Sequence, residues 1–375
     1  MSDSNSFIVK SLALLVVLGL GLLIGVYLPS SFSSAADETV GNSTDVEDSR
    51  FQPRGGSLAL DAGRRFIYLP LNNPAVVPAG MAPFMKDDDI VAGVVVNGQA
   101  RAYPQWVLVA YHVVNDTINE TPIMLAHCEI CNGTSAFDPV VEGLDGKSLS
   151  FQIHGIANGT FSVYDYQTHT VWSPFTGRSF TGTMHPTKMD RIPLVLESWK
   201  EWIQRYPDAD VVLASRLMIE TREHGRGVHS ELGDSFVAPV FAPTANLEDT
   251  RLPYGTLVFG ITNAGGDQSV AFPLEFLETQ EELLRYTLND QDYLVKKVGE
   301  FSVVAFRLSE EQRETAFRIV SESPFRLGDQ QGGVWDEFGS PVDTTGNRPN
   351  LEAADGYFTE WYEWVSSYPQ SNIAD

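Results

Sequence analysis

The sequence predicts a strand-rich α+β protein, built as two tandem copies of one α+β unit behind an N-terminal transmembrane segment. Three observations predict it. Residues 12–28 are an apolar run broken only by small residues. Short runs rich in Val, Phe and Thr, bounded by Gly, Asn and Asp, dominate the remainder, as strands and hairpins should. The residue order of the first half also recurs in the second at a period of roughly 165 residues. Residues 91–108 (VAGVVVNGQARAYPQWVL) match 258–277 (VFGITNAGGDQSVAFPLEFL), Asn115-Asp116 match Asn289-Asp290, and Ala136-Phe137 match Ala305-Phe306. The closest match is WKEWIQRYP, from Trp199, against WYEWVSSYP, from Trp361.

The apolar run follows a single Lys10, and the next basic residue is Arg50. That asymmetry places the folded part outside the cytoplasm, periplasmic or extracellular. The run is long enough to span a bilayer and long for a signal core, which favours a retained anchor; Ser33-Ser34-Ala35-Ala36 keeps cleavage as the alternative. The expected organisation is an anchor or signal at 1–29 and a Ser-, Thr-, Asp- and Glu-rich tether at 30–50. A first copy follows at 51–215, a connecting loop at 216–250 and a second copy at 251–375. A length of 375 residues with 43% hydrophobic content accommodates two such units. The net charge of −24 argues against a nucleic-acid partner, and it leaves the small-molecule or protein partner open. The membrane, through the N-terminal segment, is the one partner expected.

Within the first copy, 91–96 and 100–103 should form a hairpin on Asn97-Gly98, a pair that tolerates the positive φ of a two-residue turn. Pro104 then opens a helix over 105–114, its missing N–H harmless at the first helical position, with Trp106, Val109, Ala110 and Val113 at helical spacing. Strands are expected at 123–126, 149–154 and 160–164, and an amphipathic helix at 198–205. The Trp and Tyr-Pro positions common to both halves read as core packing rather than a sugar platform. Five Asn-X-Thr sequons, at Asn42, Asn115, Asn119, Asn132 and Asn158, are compatible with glycosylation outside the cell; Asn132, directly after the second cysteine, is not expected to be used.

Chemistry is distributed unequally. Both cysteines and all seven histidines lie at or before His229. The second copy offers Lys297 and Glu300 where Cys128 and Cys131 stand, and Tyr286 where His112 stands. Cys128-Glu129-Ile130-Cys131 is a C-x-x-C pair inside HCEICNGTSAF. At this spacing two thiolates chelate one soft metal or close a small reactive disulfide. Gly133 permits the tight turn that leaves backbone N–H groups free. No second C-x-x-C exists, which excludes a zinc ribbon.

Cys128 and Cys131 are therefore the expected reactive groups and, with His112, His127 and His154, the expected metal ligands. By ligand softness such a set suits copper or zinc. His112 is the strongest histidine, at the end of a helix with Asn115-Asp116 close behind. A lone histidine is more often a hydrogen-bonding residue than a ligand, and His224 and His229 lie in the connecting loop. Two further readings stay open: thiol–disulfide oxidoreduction with Cys128 as the reactive thiolate, and a binding or structural module stabilised by a disulfide. Walker, dinucleotide and Gly-x-Ser-x-Gly patterns are absent from the sequence.

At these residues the chain resembles the bacterial and archaeal domain-of-unknown-function family 3179. The resemblance rests on VAGVVVNGQARAYP, YHVVND, HCEICNGTSAF, VYDYQTHTVW and WKEWIQRYP, and it is best over 87–215. Members typically carry Tyr-Cys-Pro-Leu-Cys-Gly-Thr-Ala, a His-Glu before Val-Asn-Asp, and Met-Tyr-Asp-Arg-Gln-Thr before the Trp. Here an Asn132 is inserted before Gly133, Val113 replaces the acidic residue after His112, and His154-Gly155 stands where Ser-Gly is common. The cysteine pair and His112 are retained. The resemblance implies an exported protein and supplies no activity.

Overall fold

The computed structural model describes residues 68–215, Ile219, 236–342 and 348–375. The apolar run at 12–28, the tether at 30–50, and His224 and His229 lie outside the described residues. Among the described residues no helix is long and apolar enough to cross a membrane.

The first hairpin forms as its turn residues dictate. Ile90–Val96 pairs antiparallel with Gln99–Pro104, and Asn97 (φ 49°) and Gly98 (φ 79°) both adopt the left-handed backbone that matches the twist of the strands. The same device closes two later hairpins. Asn119 and Glu120 join Val113–Ile118 to Thr121–Cys128, and Asn158 and Gly159 join Phe151–Ala157 to Thr160–Asp165.

Pro104 opens a helix that is shorter than the sequence suggests, Gln105–Tyr111. It ends because His112 takes φ 63° while its N–H still bonds Leu108 O at 2.7 Å. The β-branched Val113-Val114 then begins a strand, with Val113 opposite Ala126, since branched side chains fit a pleated surface better than a helix. The later helix, Trp199–Arg205, carries a capping box in which Ser198 and Glu201 satisfy each other's backbone N–H.

Two tandem α+β units are not what forms. Strands from both halves lie in one nine-stranded sheet. Gly133–Asp138, which follows the cysteine turn, pairs with Asp355–Glu360 through Thr134 and Phe358. Asp355–Glu360 in turn pairs along its whole length with Leu257–Thr262. The described residues fall in a single compact unit. The described helices Gln105–Tyr111, Trp199–Arg205, Leu274–Glu278 and Trp361–Ser367 have only five to seven residues, too short to form a covering layer, so the architecture is strand-rich. The matched Asn-Asp pairs also do different work. Asn289 and Asp290 form a positive-φ turn, whereas Asn115 and Asp116 lie inside Val113–Ile118.

What recurs is a local motif. The hairpin Ile90–Val96/Gln99–Pro104 is flanked by an antiparallel Val195–Ser198 and a parallel Asp210–Val212, with Trp199–Arg205 between them. Leu257–Thr262/Ser269–Pro273 is flanked in the same way by Asp355–Glu360 and Asn372–Ile373, with Trp361–Ser367 between. Each hairpin has a glycine beneath a tryptophan. A Cβ on Gly93 would lie 2.2 Å from the Trp202 ring, and one on Gly260 would lie 2.3 Å from Trp364. The shared Gly, Trp and Tyr positions are packing positions, with Trp202, Trp361 and Trp364 fully buried.

Candidate functional site

The site grows from one hairpin end. Thr121–Cys128 and Gly133–Asp138 pair through His127 with Thr134 and Cys128 with Gly133, leaving 129–132 as the turn that brings Cys131 back beside Cys128. Gly133 is required there: an added Cβ would sit 2.7 Å from the Phe175 ring. Both cysteines are buried free thiols. Cys131 Sγ lies 3.6 Å from Thr160 Oγ1, and its backbone oxygen accepts from Glu360 N at 2.9 Å and Thr359 Oγ1 at 3.0 Å. The turn is thus fastened to the start of Trp361–Ser367, so the second half of the chain forms one wall of a site whose sulfurs come from the first.

That wall is acidic. Glu363 is fully buried and accepts from Ser367 Oγ at 3.0 Å and Tyr357 OH at 3.4 Å, while its Oε2 has no partner. Burial raises its carboxyl to about 7 against those hydrogen bonds. Tyr362 OH is buried without a partner, and burial, then the charges of Cys131 and Cys128, push its phenol well up. Burial also pushes the Cys131 thiol well above its ordinary value, with the hydrogen bond to Cys128, the Cys128 charge and Glu363 acting in the same sense. Groups that lose protons to become anions therefore crowd one another in a dry interior, where each disfavours ionisation of the next.

On the other side stands the His112–Glu129 pair. His112 Nε2 lies 3.1 Å from Glu129 Oε2, an ion-pair distance. The His112 ring stacks on Tyr68, centroids 4.2 Å apart, and tilts against Phe161. Burial works to raise the Glu129 carboxyl, but the charge and hydrogen bonding of His112 outweigh it and hold the group below its usual value. His112 Nδ1 is buried without a partner. A histidine at positive φ is uncommon and is found where the surroundings fix it; here it re-aims the chain between helix and strand.

His127 and His154 are placed differently. Strand alternation turns His127 to the face opposite Cys128, where Nδ1 meets Thr134 Oγ1 at 2.8 Å and Nε2 is left unpartnered. Burial lowers its pKa to about 4, with Glu129 opposing and His112 reinforcing, so it is a neutral imidazole. His154 sits on Phe151–Ala157 with its ring edge-on to Tyr164 at 5.6 Å, and burial lowers its pKa as well. Among the described residues no group of three or more His, Cys, Asp or Glu side chains is arranged to hold a metal ion as placed. The structure gathers the two sulfurs, with His112 nearby through Glu129.

Sequence reasoning missed Glu129, Tyr362 and Glu363. In sequence Glu129 is only the spacer of the motif, and Tyr362 and Glu363 sit inside a match defined by its Trp and Tyr-Pro positions.

Residues 70–371 match the family model described as Protein of unknown function (DUF3179). No curated protein and no solved structure matches the chain.

Proposed function

The chain belongs to the DUF3179 family, and from that premise we propose that it is a membrane-tethered protein, its folded part outside the cytoplasm, that holds a soft metal ion at Cys128 and Cys131. Copper and zinc are the cations the donors suit, with His112 the nearest imidazole. One observation carries the reading. The two buried thiols neighbour Glu363 and Tyr362, whose Oε2 and OH are buried without partners, and such groups call for an ion or water to satisfy them. Cation binding deprotonates the thiols and cancels the crowding of acids. It asks for side-chain rotation, since the donors do not converge as placed.

The test is elemental analysis of the full-length protein purified anaerobically without chelators, alongside Cys128→Ser and Cys131→Ser. Stoichiometric copper or zinc that both variants lose is expected. Metal-free wild type that stays metal-free after incubation with either ion overturns the reading.

A second reading has its own support. The two thiols share a four-residue turn, which is the geometry for a dithiol–disulfide couple. Burial of both sulfurs works against exchange with a protein partner, because the attacking thiol must be reachable. A small oxidant or reductant suits the site better.

A further inference from the structure

A cavity of about 490 Å3 lies elsewhere, between the Gly133–Asp138 strand, the 188–196 segment and strands of the second half. Its size falls within the range of small-molecule sites. Phe259, Phe301, Tyr357 and Phe358 supply apolar wall. Thr134 and Ala136 reach it from the sheet face opposite Cys128, and neither sulfur lines it, although Tyr357, which donates to Glu363, is among its lining residues.

Around Asp355 the charges lining the cavity are not paired one to one. Glu337 is held by Arg205 at 2.8 Å and Arg326 at 3.3 Å. Arg307 is paired with Glu352, and Asp190 is exposed. What remains is Asp355, a single carboxylate shared by Lys188 and by Arg191 Nε at 2.8 Å, with Thr262 Oγ1 also donating to it at 3.0 Å. Two cations on one anion make the surroundings of Asp355 locally cation-rich in a chain whose formal net charge is −24. Arg191 is spent structurally, donating to Phe175 O and lying over Phe137 and Tyr357. Lys188 is different. Its side chain is 27% exposed, and its ammonium has three donors, of which Asp355 takes one.

We propose that this cavity binds a small organic carboxylate, its anionic end on Lys188 beside Arg191 and its apolar body against Phe259, Phe301 and Phe358. A carboxylate completes the charge balance that Asp355 leaves open, and an aromatic or short aliphatic body matches the wall. Because neither sulfur lines the cavity, the inference stands or falls apart from the metal reading.

Isothermal titration of the full-length protein with phenylacetate and hexanoate, against phenylacetamide and hexanamide as neutral controls, tests it. The carboxylates should bind at least about tenfold more tightly than their amides. Lys188→Met should erase that preference and Lys188→Arg should keep it. Ala264→Trp, a substitution at an exposed lining residue, should abolish binding with the melting temperature unchanged. No binding of any probe at millimolar concentration, equal binding of acid and amide, or a preference that survives Lys188→Met overturns the proposal.

Discussion

The two tryptophan helices occupy the same place in the same local motif, yet they meet opposite environments. In Trp199–Arg205 only Trp199 and Trp202 are buried. Glu201 closes a capping box at the surface, and Arg205 pairs with Glu197 and Glu337. In Trp361–Ser367 every residue is buried, and no side chain caps its start. Glu363, the counterpart of Glu201, points into the interior beside Cys131. The first helix is an amphipathic brace. In the second, the cysteine turn covers the face that would otherwise meet water, and a position that elsewhere caps a helix becomes a buried acid. A repeated scaffold thus gains chemistry by changing what is packed on it.

Removing the shared anchor tests the burial side of this contrast and should give the largest effect. Trp364→Ala should cost about 3–5 kcal/mol, read from denaturant midpoints at constant slope, and should exceed Trp202→Ala, because the wholly buried helix has no open side from which to relax. Equal losses would erase the distinction.

Neutralising the acid comes next. The Glu363 carboxyl is raised from 4.5 to about 7, so in that interval the folded state holds a proton the unfolded state has released. Its contribution is fully present below 4.5 and is lost as pH rises through 7, a fall of about 3 kcal/mol in the metal-free protein. Glu363→Gln should flatten the stability profile across that window. Glu197, in the strand before the first helix, is likewise raised to about 7, burial acting first and Glu337 adding to it against Arg205, so a slope of the same sign should persist from there. An unchanged profile in Glu363→Gln contradicts the assignment.

The smallest effect belongs to the cap. Ser198→Ala should cost about 1 kcal/mol by thermal or chemical denaturation, whereas Glu360→Ala, at the uncapped counterpart, should act through its bond from Asn132 Nδ2 and loosen the cysteine turn instead.

Much of the local structure was legible because backbone chemistry is local. Asn97-Gly98 and Pro104 declared a turn and a helix start. The cysteine turn was legible for the same reason. Two things were not. The pairing of Gly133–Asp138 with Asp355–Glu360 joins strands more than 200 residues apart, and no local pattern encodes such a partner, so a recurring sequence suggested separate units where one sheet forms. The buried acid was also concealed, although a trace existed. Lys200, Gln204 and Arg205 in the first helix become Tyr362, Ser366 and Ser367 in the second, and a helix without a charged outer face is a buried one. That substitution pattern marked Glu363 as an interior carboxylate. His127 shows the opposite error, since adjacency to Cys128 in sequence means opposite faces in a strand.

The account's central claim is that the buried thiols and the unpartnered groups around them form a cation site. Anaerobic titration of the metal-free full-length protein with cuprous ion, and with cobalt(II) as a spectroscopic stand-in for zinc, tests it most directly. Thiolate-to-metal charge-transfer absorption that saturates at one equivalent per chain and disappears in Cys131→Ser is the predicted result. Absence of those bands with both ions, or bands that persist unchanged in Cys131→Ser, would contradict it.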